Sequence, residues 1–161
     1  MKRLTFFILA LLCFMTLPAC GKADISEYRD EKILITGLTD EDFYITPGDL
    51  AEMECISATA HGKTAKAGTV QGYGPTLETF ISHYGVSFDQ LKSIKFFAAD
   101  GYTVTLGRVT WEKYDVILSI ANGSKPLDEW HRPLRLVIPG GDSGNWTYLI
   151  QKIQFTYKDG E

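Results

Sequence analysis

The sequence is short of cysteine and histidine and carries no excess of positive charge. Its 161 residues include three Cys and three His, and 16 Lys and Arg stand against 20 Asp and Glu, a formal net charge of −4. An acidic chain without a basic run is a poor binder of nucleic acid, whose phosphates demand clustered cations. The same balance gives no electrostatic hold on an anionic bilayer. His61, His83 and His131 are scattered, with no pair at metal-ligand spacing. There is no internal repeat, no low-complexity segment, no Gly-rich phosphate loop, no Ser-His-Asp order and no paired-carboxylate signature.

Long apolar runs are also missing, with one exception at the start. Lys2 and Arg3 precede an almost wholly apolar stretch, Leu4 to Leu17, that is short for a permanent membrane span. Leu17-Pro18-Ala19-Cys20 follows. This is the pattern of a secretory signal peptide over residues 1–19. The Cys at the cleavage point resembles the lipobox of bacterial lipoproteins, which implies a lipid attached at Cys20 and a protein held on the extracytoplasmic side of a bacterial cell membrane. Several acyl chains on one residue hold firmly, since each buried methylene contributes roughly 0.8 kcal/mol. With Cys13 in the signal and Cys20 lipidated, Cys55 is the one thiol left. That excludes an intrachain disulfide and a Cys-based metal cluster.

The remaining chain has a single composition regime and the length of one domain. Residues 20–32 are polar and read as a tether, 33–157 as the domain, and 158–161 as a tail. Ile33-Leu34-Ile35 predicts a strand. Thr46-Pro47-Gly48-Asp49 predicts a helix start, with Thr46 as cap and Pro47 in the first turn. Glu54 to Ala60 and Thr69 to Gln71 predict a hairpin-like pair. Thr76 caps a helix carrying Leu77, Phe80, Ile81 and Tyr84, and Gly85 stops it. A short helical piece, Phe88 to Lys92, precedes a strand from Ser93 to Ala99. Asp100-Gly101 turns into a strand ending at Leu106, with Asp100 capping its own turn. Val116 to Ala121 predicts an interior strand, and Ile153 to Tyr157 closes the domain. Strands and a few short helices, unevenly interleaved, argue for an α+β fold.

The most informative stretch is Trp130-His131-Arg132-Pro133-Leu134-Arg135-Leu136-Val137-Ile138-Pro139-Gly140-Gly141. Leu134, Leu136 and Ile138 alternate with Arg135 and Val137, so one face is apolar and the other carries a single cation. Beside a Gly-rich turn, Arg135 is either an anion contact or one partner of a surface ion pair.

Taken in order, Ile35-Thr36-Gly37-Leu38, the Gly72-to-Leu77 helix entry, Asp100-Gly101-Tyr102, Ala121-Asn122-Gly123-Ser124-Lys125-Pro126-Leu127, the Pro133-to-Gly140 strand and Trp146 seven residues before Ile153 together resemble the molybdopterin-binding domain of the sulfite oxidase family. The resemblance implies that fold and, in catalytic members, molybdopterin chemistry with a Cys thiolate on the metal. The comparable place here falls near Thr59, which supplies no soft ligand. A Lys-Trp pair of catalytic members is replaced by Tyr148-Leu149. The resemblance is thus to short, lipid-anchored relatives that keep the fold without the metal site. The expectation is a binding module with no cofactor. A small molybdopterin-dependent oxidoreductase is the alternative, and a docking subunit for another envelope protein is a third reading. By the same resemblance, Thr59, His61, Asp100, Tyr102 and Arg135 converge on one cleft, where a small anionic ligand meets Arg135 or Asp100 pairs with Arg135 across an emptied site. Cys55 is expected as a small core residue, its alternatives being a metal ligand or a redox thiol. Trp111, Trp130 and Trp146 are expected as core or rim aromatics.

Overall fold

The computed structural model describes residues 23–63 and 68–158. The signal peptide expected over 1–19 and the lipid site expected at Cys20 lie outside the described residues. The fold is α+β, mostly strand with a few short helices, as the uneven interleaving of elements predicts.

One sheet has five strands. Its strands are β1 (Ile33–Thr36), β2 (Phe43–Ile45), β5 (Leu91–Ala98), β6 (Thr103–Gly107) and β11 (Ile150–Tyr157), in the order β2-β1-β11-β5-β6. The first and last strands of the sheet meet in parallel inside it, Ile35 opposite Ile153. Ile33, Ile35, Ile94, Phe96 and Ile153 alternate into the core, where each is essentially inaccessible.

The second part is built on the antiparallel hairpin of β3 (Cys55–His61) and β4 (Thr69–Pro75), extended by β8 (Ala121–Asn122) and β9 (Lys125–Pro126). A separate two-stranded ladder pairs β7 (Ile117–Ser119) with β10 (Arg135–Val137), Arg135 opposite Ser119. The interior strand expected over 116–121 is thus two short strands interrupted at Ile120, whose N–H is bonded to Tyr73 O at 2.8 Å. Val137 also differs from the alternating pattern. It is as buried as Leu136, because β4 packs over it and a Cβ at Gly72 would lie 3.2 Å from its side chain.

Two helices form where their caps predict. In α1 (Pro47–Ala51) the Thr46 hydroxyl accepts from Asp49 N while Asp49 Oδ2 accepts from Thr46 N, a reciprocal capping box. In α2 (Leu77–His83) Thr76 caps, and Leu77, Phe80 and Ile81 are buried while His83 stays exposed. The helix expected over 88–92 is only a 3₁₀ turn, Phe88–Gln90, because Leu91 already belongs to β5. A last short helix, α3 (Arg108–Trp111), buries Trp111 against Phe88 with stacked rings 5.2 Å apart.

The described part of the expected tether, residues 23–32, is instead part of the packed structure. Ile25 and Tyr28 are buried, and the Tyr28 hydroxyl donates to Ile120 O at 2.8 Å and accepts from Leu127 N at 2.9 Å. Polarity along this segment reflects its outer face. Two apolar side chains, the Tyr28 hydroxyl and a hydrogen bond from Gly48 N to Arg29 O fasten it.

Candidate functional site

Arg135 sits at the start of β10, a strand held on both edges. One edge pairs with β7, and on the other Leu136 N donates to Thr147 O at 2.7 Å. Further along, Trp146 Nε1 donates to Ile138 O and Ile150 N to Leu134 O. The 146–150 segment is therefore laid along β10, which brings Tyr148 into the electrostatic surroundings of Arg135. Burial pulls the Arg135 guanidinium below its ordinary range, and Asp128 and Tyr148 oppose that shift. Its Nε is enclosed and has no hydrogen-bond partner, one of two such side-chain atoms among the described residues.

Next to this segment lies a cleft of about 280 Å³ lined by Asp100, Tyr102, Gly144, Trp146, Thr147 and Tyr148. The hairpin between β5 and β6 supplies the first two. Asp100 Oδ1 accepts from Tyr102 N at 2.9 Å, so the carboxylate caps its own turn as its sequence context predicts. The Tyr102 hydroxyl crosses to Gly144 O at 3.0 Å and fastens the hairpin to the opposite wall. Asp142, at the start of that wall, accepts from Gly144 N and lies 3.5 Å from Lys63 Nζ. The Gly144 hydrogen bond, with Lys63 beside it, holds the Asp142 carboxyl below its usual value. Leu149, after Tyr148, has φ of 55°, the only positive φ outside glycine among the described residues. Its carbonyl accepts from Ala99 N at 2.9 Å, so the left-handed turn is locked to the same hairpin.

Only part of the predicted constellation is assembled here. Asp100 and Tyr102 share the cleft, and Arg135 is linked to it through Tyr148. Thr59 and His61 do not line it. Thr59 is exposed on β3 opposite Gln71, and His61 Nδ1 lies 3.1 Å from the Thr69 hydroxyl across the hairpin. Nor does Asp100 balance Arg135. Its turn uses one carboxylate oxygen, and the carboxylate acting on Arg135 is Asp128. The opposite wall, Gly144 with Trp146 to Tyr148, was beyond sequence reasoning except for the position of Trp146. That run has no periodicity, and its place follows from the ladder to β10.

Cys55 is only partly buried, at the start of β3, where its thiol donates to Leu50 O at 3.5 Å. Four residues of strand separate it from Thr59, roughly 13 Å at the usual rise. Trp111 and Trp146 are buried, whereas Trp130 is 75% exposed. The surrounding Asp128-Glu129 and His131-Arg132 place Trp130 in a polar turn rather than in the core.

No family model matches the chain, and no curated protein is similar to it in sequence. Among solved structures, the crystal structure of the sulfane dehydrogenase SoxCD from Paracoccus pantotrophus is similar, with a TM-score of 0.67 and 19% sequence identity over 81% of this chain. The match spans 39% of that structure's chain. At this identity the likeness establishes the fold, and it agrees with the sulfite-oxidase-like architecture expected from the sequence.

Proposed function

We propose that this protein is a membrane-anchored, extracytoplasmic binding module that uses a sulfite-oxidase-like domain without its metal chemistry and takes a small anion at Arg135. The observation carrying this reading is the enclosed Arg135 Nε without a partner. An enclosed guanidinium nitrogen with an unmet donor is costly, and an oxyanion meets it with the right geometry and charge.

The donor set bears on the molybdopterin group that the fold family implies. A molybdenum centre of that kind calls for a soft thiolate, and phosphate on the pterin calls for several cations or backbone donors. Thr59 is a hydroxyl residue on an exposed strand face, and Cys55 directs its thiol to the Leu50 carbonyl. Lys63 is paired with Asp142 and Arg132 with Glu27, which leaves Arg135 as a single cation where a pterin phosphate calls for several. These residues do not fit the group. The competing reading, a small molybdopterin-dependent oxidoreductase, draws its support from the fold shared with a sulfane dehydrogenase.

Calorimetric titration of the purified chain with inorganic sulfate and with inorganic phosphate tests the anion site. Saturable one-to-one binding is expected, lost in Arg135→Met while thermal stability is kept or raised, since Met fills similar volume without a buried charge. Undiminished binding in Arg135→Met, or no binding to the native chain, overturns the assignment.

A further inference from the structure

The first described residues are clamped to the domain rather than leading away from it. Arg132 Nη2 reaches Glu27 Oε2 at 2.5 Å, and its guanidinium carbon stands 4.9 Å from the centre of the Tyr28 ring. The same side chain donates through Nε to Leu127 O at 2.9 Å, while the Tyr28 hydroxyl bridges Leu127 N and Ile120 O. Residues 23–32 and the Asp128–Arg132 turn are therefore one fastened surface. That turn is itself stiff. His131 N and Arg132 N both donate to Asp128 O, and Trp130 N donates to Asp128 Oδ1 at 3.1 Å. At its tip Trp130 is three-quarters exposed, with no covering side chain to account for so large an apolar group.

Two residues, Gly21 and Lys22, separate Cys20 from Ala23. Whatever their conformation, three peptide units reach at most about 11 Å. Resting on the lipid anchor proposed above, we infer that the domain does not sway on a leash but sits against the bilayer, with the 23–32 segment and its neighbouring turn facing the lipid and Trp130 entering the interfacial layer. An indole ring suits that layer, having an apolar body and a single N–H that stays hydrated. The acidic charge of the chain offers no attraction of its own, so the short connection brings the surfaces together and Trp130 fixes which face meets the lipid.

Tryptophan quenching tests this directly. The full chain is produced with its lipid and reconstituted in vesicles of phosphatidylethanolamine and phosphatidylglycerol that carry a phosphatidylcholine brominated near the top of its acyl chains. Trp111 and Trp146 are buried, so the brominated lipid is expected to remove only the Trp130 share of the emission. Trp130→Phe should show no remaining quenching. Insertion of a long Gly-Ser linker between Lys22 and Ala23 should reduce quenching of the native tryptophan severalfold by diluting the domain away from the surface. An unquenched spectrum from a protein whose lipid is confirmed by mass overturns the docking inference and leaves the anchor intact. Undiminished quenching in the linker variant overturns the role of the short connection. If fatty-acid label is absent from the native chain, or persists in Cys20→Ala, the anchor assignment itself falls, and the docking inference falls with it.

Discussion

The guanidinium of Arg132 lies 4.9 Å from the centre of the Tyr28 ring, a contact between residues more than a hundred positions apart. Around it, one phenol hydroxyl satisfies two backbone groups, Ile120 O between β7 and β8 and Leu127 N just after β9. The segment following the expected anchor is thereby part of the same folded unit as the candidate site. Displacing it would expose Ile25 and Tyr28 together with those backbone groups.

Removing the hydroxyl should be costly out of proportion to its size. Tyr28→Phe leaves a buried carbonyl and a buried N–H without their partner, which predicts a loss of about 1–3 kcal/mol. Urea unfolding at neutral pH measures it, with the midpoint lowered and the slope unchanged. An unaltered midpoint would mean that water replaces the hydroxyl freely and that the clamp is loose.

Alkaline titration should expose the same residue. Burial raises the Tyr28 phenol above its ordinary value near 10, with the Leu127 hydrogen bond and Arg132 acting the other way. Burial and Asp49 likewise raise Tyr84. The unfolded chain then loses these protons at lower pH than the folded one. Stability is fully present below about pH 10 and falls as the pH rises toward the folded-state values. Unfolding free energy measured across that window is expected to decline, and less steeply in Tyr28→Phe. An identical slope in the variant would remove Tyr28 from the account.

At Gly74 the backbone of β4 runs against β7. A Cβ there would stand 2.0 Å from Leu118 O, a backbone atom with little freedom to retreat. Gly74→Ala is predicted to destabilise by on the order of 3 kcal/mol or more. Thermal unfolding should show a large drop, whereas Gly107→Ala, with nothing within 4 Å of the added carbon, should show a small one. Equal effects would contradict the close approach.

The parts of the fold legible in the sequence are those governed by local chemistry. Thr46 with Pro47 and Asp49 starts α1, Thr76 starts α2, and Asp100-Gly101 turns the β5–β6 hairpin because caps and turns are decided within four residues. The strand at Phe43–Ile45 has no signal in the sequence, since three residues carry no usable period and its pairing with β1 supplies the reason it exists. The parallel meeting of β1 and β11 is equally invisible, being a contact between strands far apart in the sequence. At the candidate site, Arg135 is legible as an anion contact from its strand pattern, whereas Asp100 and Tyr102 enter the cleft only through the family resemblance. Their arrangement is not legible, because it depends on the 146–150 segment lying along β10 through Leu136 N and Thr147 O. The family resemblance implies Thr59 and His61 in the cleft, and the hairpin register instead sets them opposite Gln71 and Thr69.

For this sulfite-oxidase-like domain, the reading proposed above is that its own residues do not hold a molybdenum centre. The most direct measurement is elemental and pterin analysis of the full chain, purified without chelators from a host that makes molybdenum cofactor in excess. Molybdenum and pterin at trace level, unchanged in Cys55→Ser, are the predicted result. Near-stoichiometric molybdenum in the native chain, lost in Cys55→Ser while the fold is kept, would contradict it.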